Sequence, residues 1–480
     1  MMREDIPSPV LSLHAVVVPL PAQGHVNPLL HFADLLRERG FFITFVNTEW
    51  SEKRMLQSSK QFSHRSSFRF LSFSDGLPPE HGRTDQLGEL MAALAKCGPV
   101  VEELLRRDHG SCSGVPPVTC IVTDSAMSCT LSVAANLGVP RVVFWSICAA
   151  ASIAQIYANV LLSQGHIPVQ VSEAKRPEKL ISGLPWNIPD LWPTDLMSFY
   201  REQNESDVIF KALLYESHQS NEADYTLVNT FEELEGRDAI SALSTNGCPA
   251  LAVGPVFLPK VLQGEESKLG SMWGENESCL EWLDKQRTGS VLYVSFGSLA
   301  LKSQQQLDDI ALGLEGSGHP FLWVLRSDIA QGHTAVLPEG FQKRTTDRAF
   351  IASWTPQLKV LEHESVGGFL THSGWNSTLE SISMGVPLLG WPCLADQFLN
   401  CRFAKEIWKV GLDFKDVDVD ENRLVTREEV ESAVRDLMQN ELLRKRAFEL
   451  KEAAIKAVMP GGSSFTNITA FIQDMLEKAK

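Results

Sequence analysis

No stretch of this 480-residue chain reaches the roughly 18 consecutive apolar residues that a membrane-spanning helix needs. The N-terminal text MMREDIPSPVLSLHAVVV sets acidic residues and prolines ahead of its first apolar run, which is not the pattern of a secretory signal. CxxC pairs are absent, and several of the nine cysteines lie inside apolar runs. Buried reduced thiols in a cytosolic compartment are therefore expected. The Asn-x-Ser/Thr matches at Asn204, Asn276, Asn376 and Asn467 then carry no glycan. Lys/Arg-rich runs are also missing, and the net charge is −16, which argues against nucleic acid or an anionic membrane surface as partner. GxGxxG and GxSxG do not occur, against a dehydrogenase or an α/β-hydrolase, and the HExxH begun by His363–Glu364 fails at Gly367.

What is present is the composition of an ordinary globular protein, 44% hydrophobic and 21% charged, at a length that suggests two domains. LHAVVVPL, PAQGHVNP and LLHFADLLRERG read as strand, loop and helix, with Leu29, Leu30, Ala33 and Leu36 at helical spacing and Gly40 at the C-cap. FFITFVNT follows as a buried strand. VTCIVTD, a helix over Ala126–Leu137 and RVVFW repeat the rhythm. Near-continuous apolar strands alternating with helices predict parallel sheets covered on both faces. Prolines, glycines and charges without periodicity mark a linker between Val253 and Asn276. SVLYVSFGS, a helix over about Ser303–Gly316, FLWVLR and FIAS then restart the pattern. The expected units are residues 1–253, a linker 254–275, residues 276–459 and a terminal helix in 460–480.

The most informative block runs from Trp354 to Gln397. In LTHSGWNSTLESISMG a strand ends near Thr371 and a helix starts at Gly374–Asn376. A helix N-terminus offers unpaired N–H groups and partial positive charge, a seat for a diphosphate. Asn376 and Ser377 fall in its first turn, where amide and hydroxyl can join the backbone donors. Glu380, four residues on, faces the same side one turn deeper, able to accept from two ribose hydroxyls. His372 can donate to a phosphate oxygen, Trp354 offers a flat face for a base, and Gln357 can reach the base or ribose edge. The competing reading is a plain βαβ unit, with Asn376 capping the helix and Trp354 filling core. Core packing, however, does not require Glu380, His372, Asp396 and Gln397 in one block.

In the loop PAQGHVNP, His25 sits between a strand end and a helix start, where open α/β sheets bind ligands. Its imidazole can take a proton from a hydroxyl near neutral pH. Asp124, ending the strand TCIVT, can hold the imidazole Nδ1–H, fix its tautomer and stabilise the imidazolium. An isolated loop histidine is more often incidental.

The Trp354–Gln397 block resembles the plant secondary-product glycosyltransferase signature, the donor-binding motif of family-1 UDP-glycosyltransferases. That resemblance implies the GT-B fold, two facing Rossmann-like doubly wound α/β domains with a cleft between them, and a terminal helix crossing back to the first. It implies His25 and Asp124 as the catalytic pair, with Gly24 beside the donor. Asp396 and Gln397 would hold the sugar hydroxyls, the Trp375 indole would lie against the sugar, and Gln397 favours UDP-glucose. Ser298, after Gly297, resembles a second phosphate contact, and Ser146 matches a position near the sugar hydroxymethyl group. Ser373 departs from the commoner cysteine, a small-for-small change.

The expected reaction is a single inverting displacement onto an acceptor hydroxyl, with no metal and no cofactor beyond the UDP-glucose co-substrate. Asp416–Asp420 reads twice as DxD, a metal signature of another glycosyltransferase fold, but the surrounding text suits a solvated loop better. SFSDGLPPEHGR and LPWNIPDLWPTDLMSFY are expected to line an apolar acceptor pocket, and together with FVNTEWSEKRM they resemble a subgroup acting on terpenoid, cyanohydrin and phenolic hydroxyls. The alternatives are another UDP-sugar, an N or S acceptor, or a non-catalytic nucleotide-sugar binder, which would not need the His25–Asp124 pair. A monomer is expected.

Overall fold

The computed structural model describes residues 13–58, 67–83, 86–111, 114–169, 180–181, 184, 190–201, 207–244, 247–264, 273–298, 302–326, 329, 335–415 and 423–479. The Asp416–Asp420 run lies outside them.

Two parallel sheets dominate. The first is built from β1 (His14–Val18), β2 (Phe42–Thr48), β3 (Phe68–Phe73), β4 (Cys120–Asp124), β5 (Arg141–Trp145), β6 (Tyr225–Val228) and β7 (Ala250–Ala252), in the order β3-β2-β1-β4-β5-β6-β7. The second contains β8 (Val291–Ser295), β9 (Phe321–Val324), β10 (Ala349–Ala352), β11 (Val366–Thr371), β12 (Leu388–Gly390) and β13 (Gly411–Asp413), ordered β10-β9-β8-β11-β12-β13. The central strands β1, β4, β8 and β11 are buried along their whole length, as their unbroken apolar text demands when helices cover both faces.

Each order reverses once, between β1 and β4 and between β8 and β11. At such a reversal the connections leave in opposite directions and open a crevice beyond the strands' C-terminal ends. Val18 pairs with Thr123 at the first crevice, and Ser295 with Thr371 at the second. The chain therefore has two ligand-binding crevices before any side chain is considered.

Beyond the first helix, two expected boundaries shift. The helix expected from Ala126 starts at Thr130, because Asp124 Oδ1 accepts the Ala126 amide at 3.0 Å and the Thr130 hydroxyl donates to the Met127 carbonyl at 2.7 Å, holding the intervening residues in turns. Within the expected linker, Leu258–Leu262 is helical and Lys260 is buried, ion-paired to Asp34 and, at 2.9 Å, to Glu38. The last helix, Ser463–Lys478, places Ile468, Phe471 and Met475 in the core beneath the first sheet, and its Asn467 donates to the Ala252 carbonyl at 3.0 Å.

Candidate active site

One cavity of about 440 Å³ is lined by residues from both crevices. On the first lobe's side, helix α1 (Gln23–Glu38) starts earlier than the sequence suggests, so His25 lies in its first turn rather than in a loop. Pro28 sits inside α1 and has no N–H to give the Gly24 carbonyl four residues back. The Asn376 side-chain amide donates to that carbonyl from the other lobe.

His25 Nδ1 lies 2.7 Å from Asp124 Oδ2 and 2.9 Å from Ser146 Oγ. Asp124 is fully buried, whereas the imidazole is 28% exposed toward the cleft. Because the carboxylate can only accept, Nδ1 carries the proton and the Nε2 lone pair is the basic position. Enclosure lowers the imidazole's basicity, but the charge and hydrogen bond of Asp124, with Asp396 across the cleft, outweigh it, and the net pKa is raised above 6.5. Ser146, which the resemblance sets near the sugar hydroxymethyl group, lines the cavity, and its hydroxyl also reaches the imidazole.

On the second lobe's side, helix Trp375–Met384 begins at Gly374 with no side-chain cap, so its first amides stay open toward the cavity. His372 is wedged between two glycines. A Cβ on Gly297 would come within 2.6 Å of its ring, and one on Gly374 within 2.5 Å. Burial, Arg326 and Lys302 push this imidazole down to about 4, so it stands neutral, with one N–H to donate. Ser298 lines the same wall.

Gln357, Ser377 and Glu380 form one network. Gln357 Nε2 donates to Ser377 Oγ at 2.9 Å and to Glu380 Oε2 at 2.7 Å, while its Oε1 accepts from the Tyr293 hydroxyl at 3.2 Å. Tyr293 in turn meets Thr355 Oγ1 at 3.0 Å. Burial pushes the Glu380 carboxyl up to about 7 despite the Gln357 hydrogen bond. Neither Tyr293 nor Thr355 was singled out from sequence, since a tyrosine within an apolar strand reads as core.

Trp354 stacks on Trp273 at 5.6 Å and 27°, so one indole face is covered from within the protein. Trp375 lines the cavity, but its indole is buried, packs on Trp408 and donates across the cleft to the Asn229 carbonyl at 2.8 Å. Gln397 Oε1 accepts the Cys393 and Leu394 amides at 2.8 and 3.0 Å, which fixes the carboxamide orientation and leaves its NH₂ for a ligand. Asp396, held at 2.8 Å by Asn400, has its pKa raised by burial. Ser373 takes a left-handed φ of 62° and is buried against Gly390. Among the described residues no cluster of His, Cys, Asp and Glu is arranged to hold a metal ion, and no helix is long and apolar enough to cross a membrane.

Comparison with known proteins identifies the family. Residues 275–455 match the family described as UDP-glucoronosyl and UDP-glucosyl transferase, and residues 12–75 match a glycosyltransferase N-terminal domain. The chain is 42% identical to 7-deoxyloganetin glucosyltransferase of Gardenia jasminoides, covering 97% of this chain and 98% of that one. It is 37% identical to linamarin synthase 1 of Manihot esculenta, with 98% of each covered. Among solved structures, the Medicago truncatula enzyme UGT71G1 complexed with UDP-glucose aligns with a TM-score of 0.81 at 27% identity, covering 97% of this chain and 98% of that one. Phytolacca americana UGT2, complexed with UDP-2fluoro-glucose and pterostilbene, aligns at 0.78 and 29% identity, covering 96% and 99%. With relatives of this identity matched along nearly its whole length, the chain belongs to the plant UDP-glycosyltransferases and is a glycosyltransferase of the GT-B fold.

Proposed function

We propose that this enzyme moves glucose from UDP-glucose to a hydroxyl of a small apolar acceptor, with inversion at the anomeric carbon. The observation that carries the reading is a His25–Asp124 pair on one lobe facing the uncapped N-terminus of helix Trp375–Met384 on the other, across one cavity. His25 Nε2 takes the acceptor's proton as its oxygen forms a bond to the anomeric carbon. The bond from that carbon to the β-phosphate oxygen breaks, and its electron pair leaves with UDP. Asp124 stabilises the imidazolium. Charge growing on the diphosphate is met by the open helix amides, His372 and Ser298, so the step is written without a metal.

Donor choice rests on Gln397, whose free NH₂ can donate to a sugar hydroxyl, and on relatives named glucosyltransferases. Acceptor class rests on the apolar residues Leu87, Ile147, Phe199 and Leu394 around the cavity, and on relatives whose names point to iridoid and cyanohydrin acceptors. A monomer in the cytosol remains the working expectation.

The test is UDP release with UDP-glucose, UDP-galactose and UDP-xylose against a panel of terpenols, cyanohydrins and phenols, each with and without EDTA. Turnover with UDP-glucose and a hydroxylated acceptor, unchanged by EDTA, is expected. Absence of UDP release across the panel would favour a nucleotide-sugar binder.

A further inference from the structure

The segment Asp190–Arg201, which up to Tyr200 is expected to line the acceptor pocket and sets Phe199 on the cavity wall, is also bound to the part of the other lobe that carries Asp396 and Gln397. Arg402 makes a two-pronged ion pair with Asp195, Nε to Oδ1 and Nη2 to Oδ2, each at 2.9 Å, and its Nη2 also donates to the Asp190 carbonyl at 2.9 Å. The two side chains are only 9% and 5% exposed. A buried bidentate pair fixes geometry far more strictly than a surface ion pair. Asp195 is itself anchored, because its Oδ2 accepts the Trp192 amide at 2.6 Å.

A second contact meets the sugar loop directly. The Ser198 amide donates to the Ala395 carbonyl at 3.1 Å, and the Ala395 amide donates to Ser198 Oγ at 2.8 Å. Ala395 has a φ of 57°, a left-handed conformation that a residue with a Cβ keeps only when its surroundings impose it. Its backbone leads straight into Asp396. On the next turn the Arg201 guanidinium lies 3.7 Å over the Phe398 ring.

We propose that Asp195, Ser198 and Arg402 are positioning residues for donor-sugar recognition, so that selectivity between epimeric UDP-sugars is set jointly by both lobes. Asp396 and Gln397 touch the sugar; the clasp from the first lobe imposes the backbone conformation from which they project. The proposal rests on the reading that those two residues hold the sugar.

The test uses the full chain as wild type, Asp195→Asn and Ser198→Ala. Calorimetric affinity is measured for UDP and UDP-glucose, and kcat/KM is compared for UDP-glucose and UDP-galactose. Ser198→Ala removes one hydroxyl and keeps the ion pair, so it reports even if Asp195→Asn fails to fold. Both variants should hold UDP within about twofold of wild type, while the preference for UDP-glucose falls about five- to tenfold, the scale of one displaced hydrogen bond. An unchanged sugar preference in folded Ser198→Ala would overturn the proposal, as would a parallel loss of UDP affinity. A wild type that binds UDP and UDP-glucose equally and uses both sugars alike would remove the sugar contacts themselves, and the proposal with them.

Discussion

At the scale of single residues, the His25 imidazole decides the pH dependence. Its pKa is raised above 6.5, and the reaction needs the neutral ring, so activity should be full above that raised value and fall as pH drops through it. Asp124→Asn removes the stabilising charge. The acid limb of kcat/KM should then move to lower pH while kcat falls, by up to about 10⁴-fold as in comparable orienting dyads. A limb that stays in place would detach Asp124 from His25. Glu380 offers an independent titration. With its carboxyl near 7, binding of uridine, which has no phosphate to titrate, should weaken as pH falls below that value, and Glu380→Gln should abolish the trend. Calorimetry at several pH values reads it, and a flat wild-type profile would remove Glu380 from the ribose.

These residues differ in how far the text revealed them. His25, Asp124 and Asn376 stood out because they sit at strand ends or helix starts, and Glu380 because it falls one turn below Asn376 on the same helix face; the catalytic pairing of His25 with Asp124 came from the family resemblance. Tyr293 and Thr355 did not stand out, because their roles depend on which neighbour their hydroxyls meet. Ser146 was singled out by resemblance, but its pairing with His25 was not: the hydroxyl lies 2.9 Å from His25 Nδ1 across 121 positions, which no local pattern encodes.

At the scale of elements, α1 shows a helix irregularity turned into a contact. A proline inside a helix ordinarily costs about 3 kcal/mol by removing a hydrogen bond and crowding the carbonyl four residues back. Here that carbonyl, of Gly24, is taken up by Asn376 at the head of the opposing helix. Pro28→Ala would restore an intrahelical donor in competition with Asn376. The melting temperature should hold or rise, while kcat/KM for UDP-glucose falls about fivefold, the worth of one hydrogen bond. If kcat/KM held steady as the helix stabilised, the inter-lobe bond would be incidental. The helix starting at Gly374 was legible from sequence because glycine and asparagine follow a completed strand. The start at Gln23 was missed because Pro28, the sixth residue of the helix, reads as a stop.

Across the whole molecule, two strand-order reversals create two crevices, and the lobes are joined by specific bonds rather than by the chain alone. Trp375 reaches Asn229 at 2.8 Å, Asn376 reaches Gly24, and Arg402 reaches Asp195 at 2.9 Å. The alternation of apolar strands and helices was enough to predict both sheets, because a parallel sheet buried on both faces needs that text. The facing of the lobes was not readable this way. It depends on pairs more than 140 positions apart, and the aromatic-rich text around Asp190–Tyr200 reads as a pocket wall without showing the bonds it makes to the other lobe.

The central claim is a division of labour: the first lobe supplies the base and the second anchors the nucleotide. Measuring turnover and calorimetric UDP affinity side by side for His25→Ala tests it most directly. Turnover should fall by about 10²–10⁴-fold, the usual contribution of a general base, while UDP affinity stays within about twofold. Loss of UDP affinity in proportion to turnover, or turnover that survives, would contradict the account.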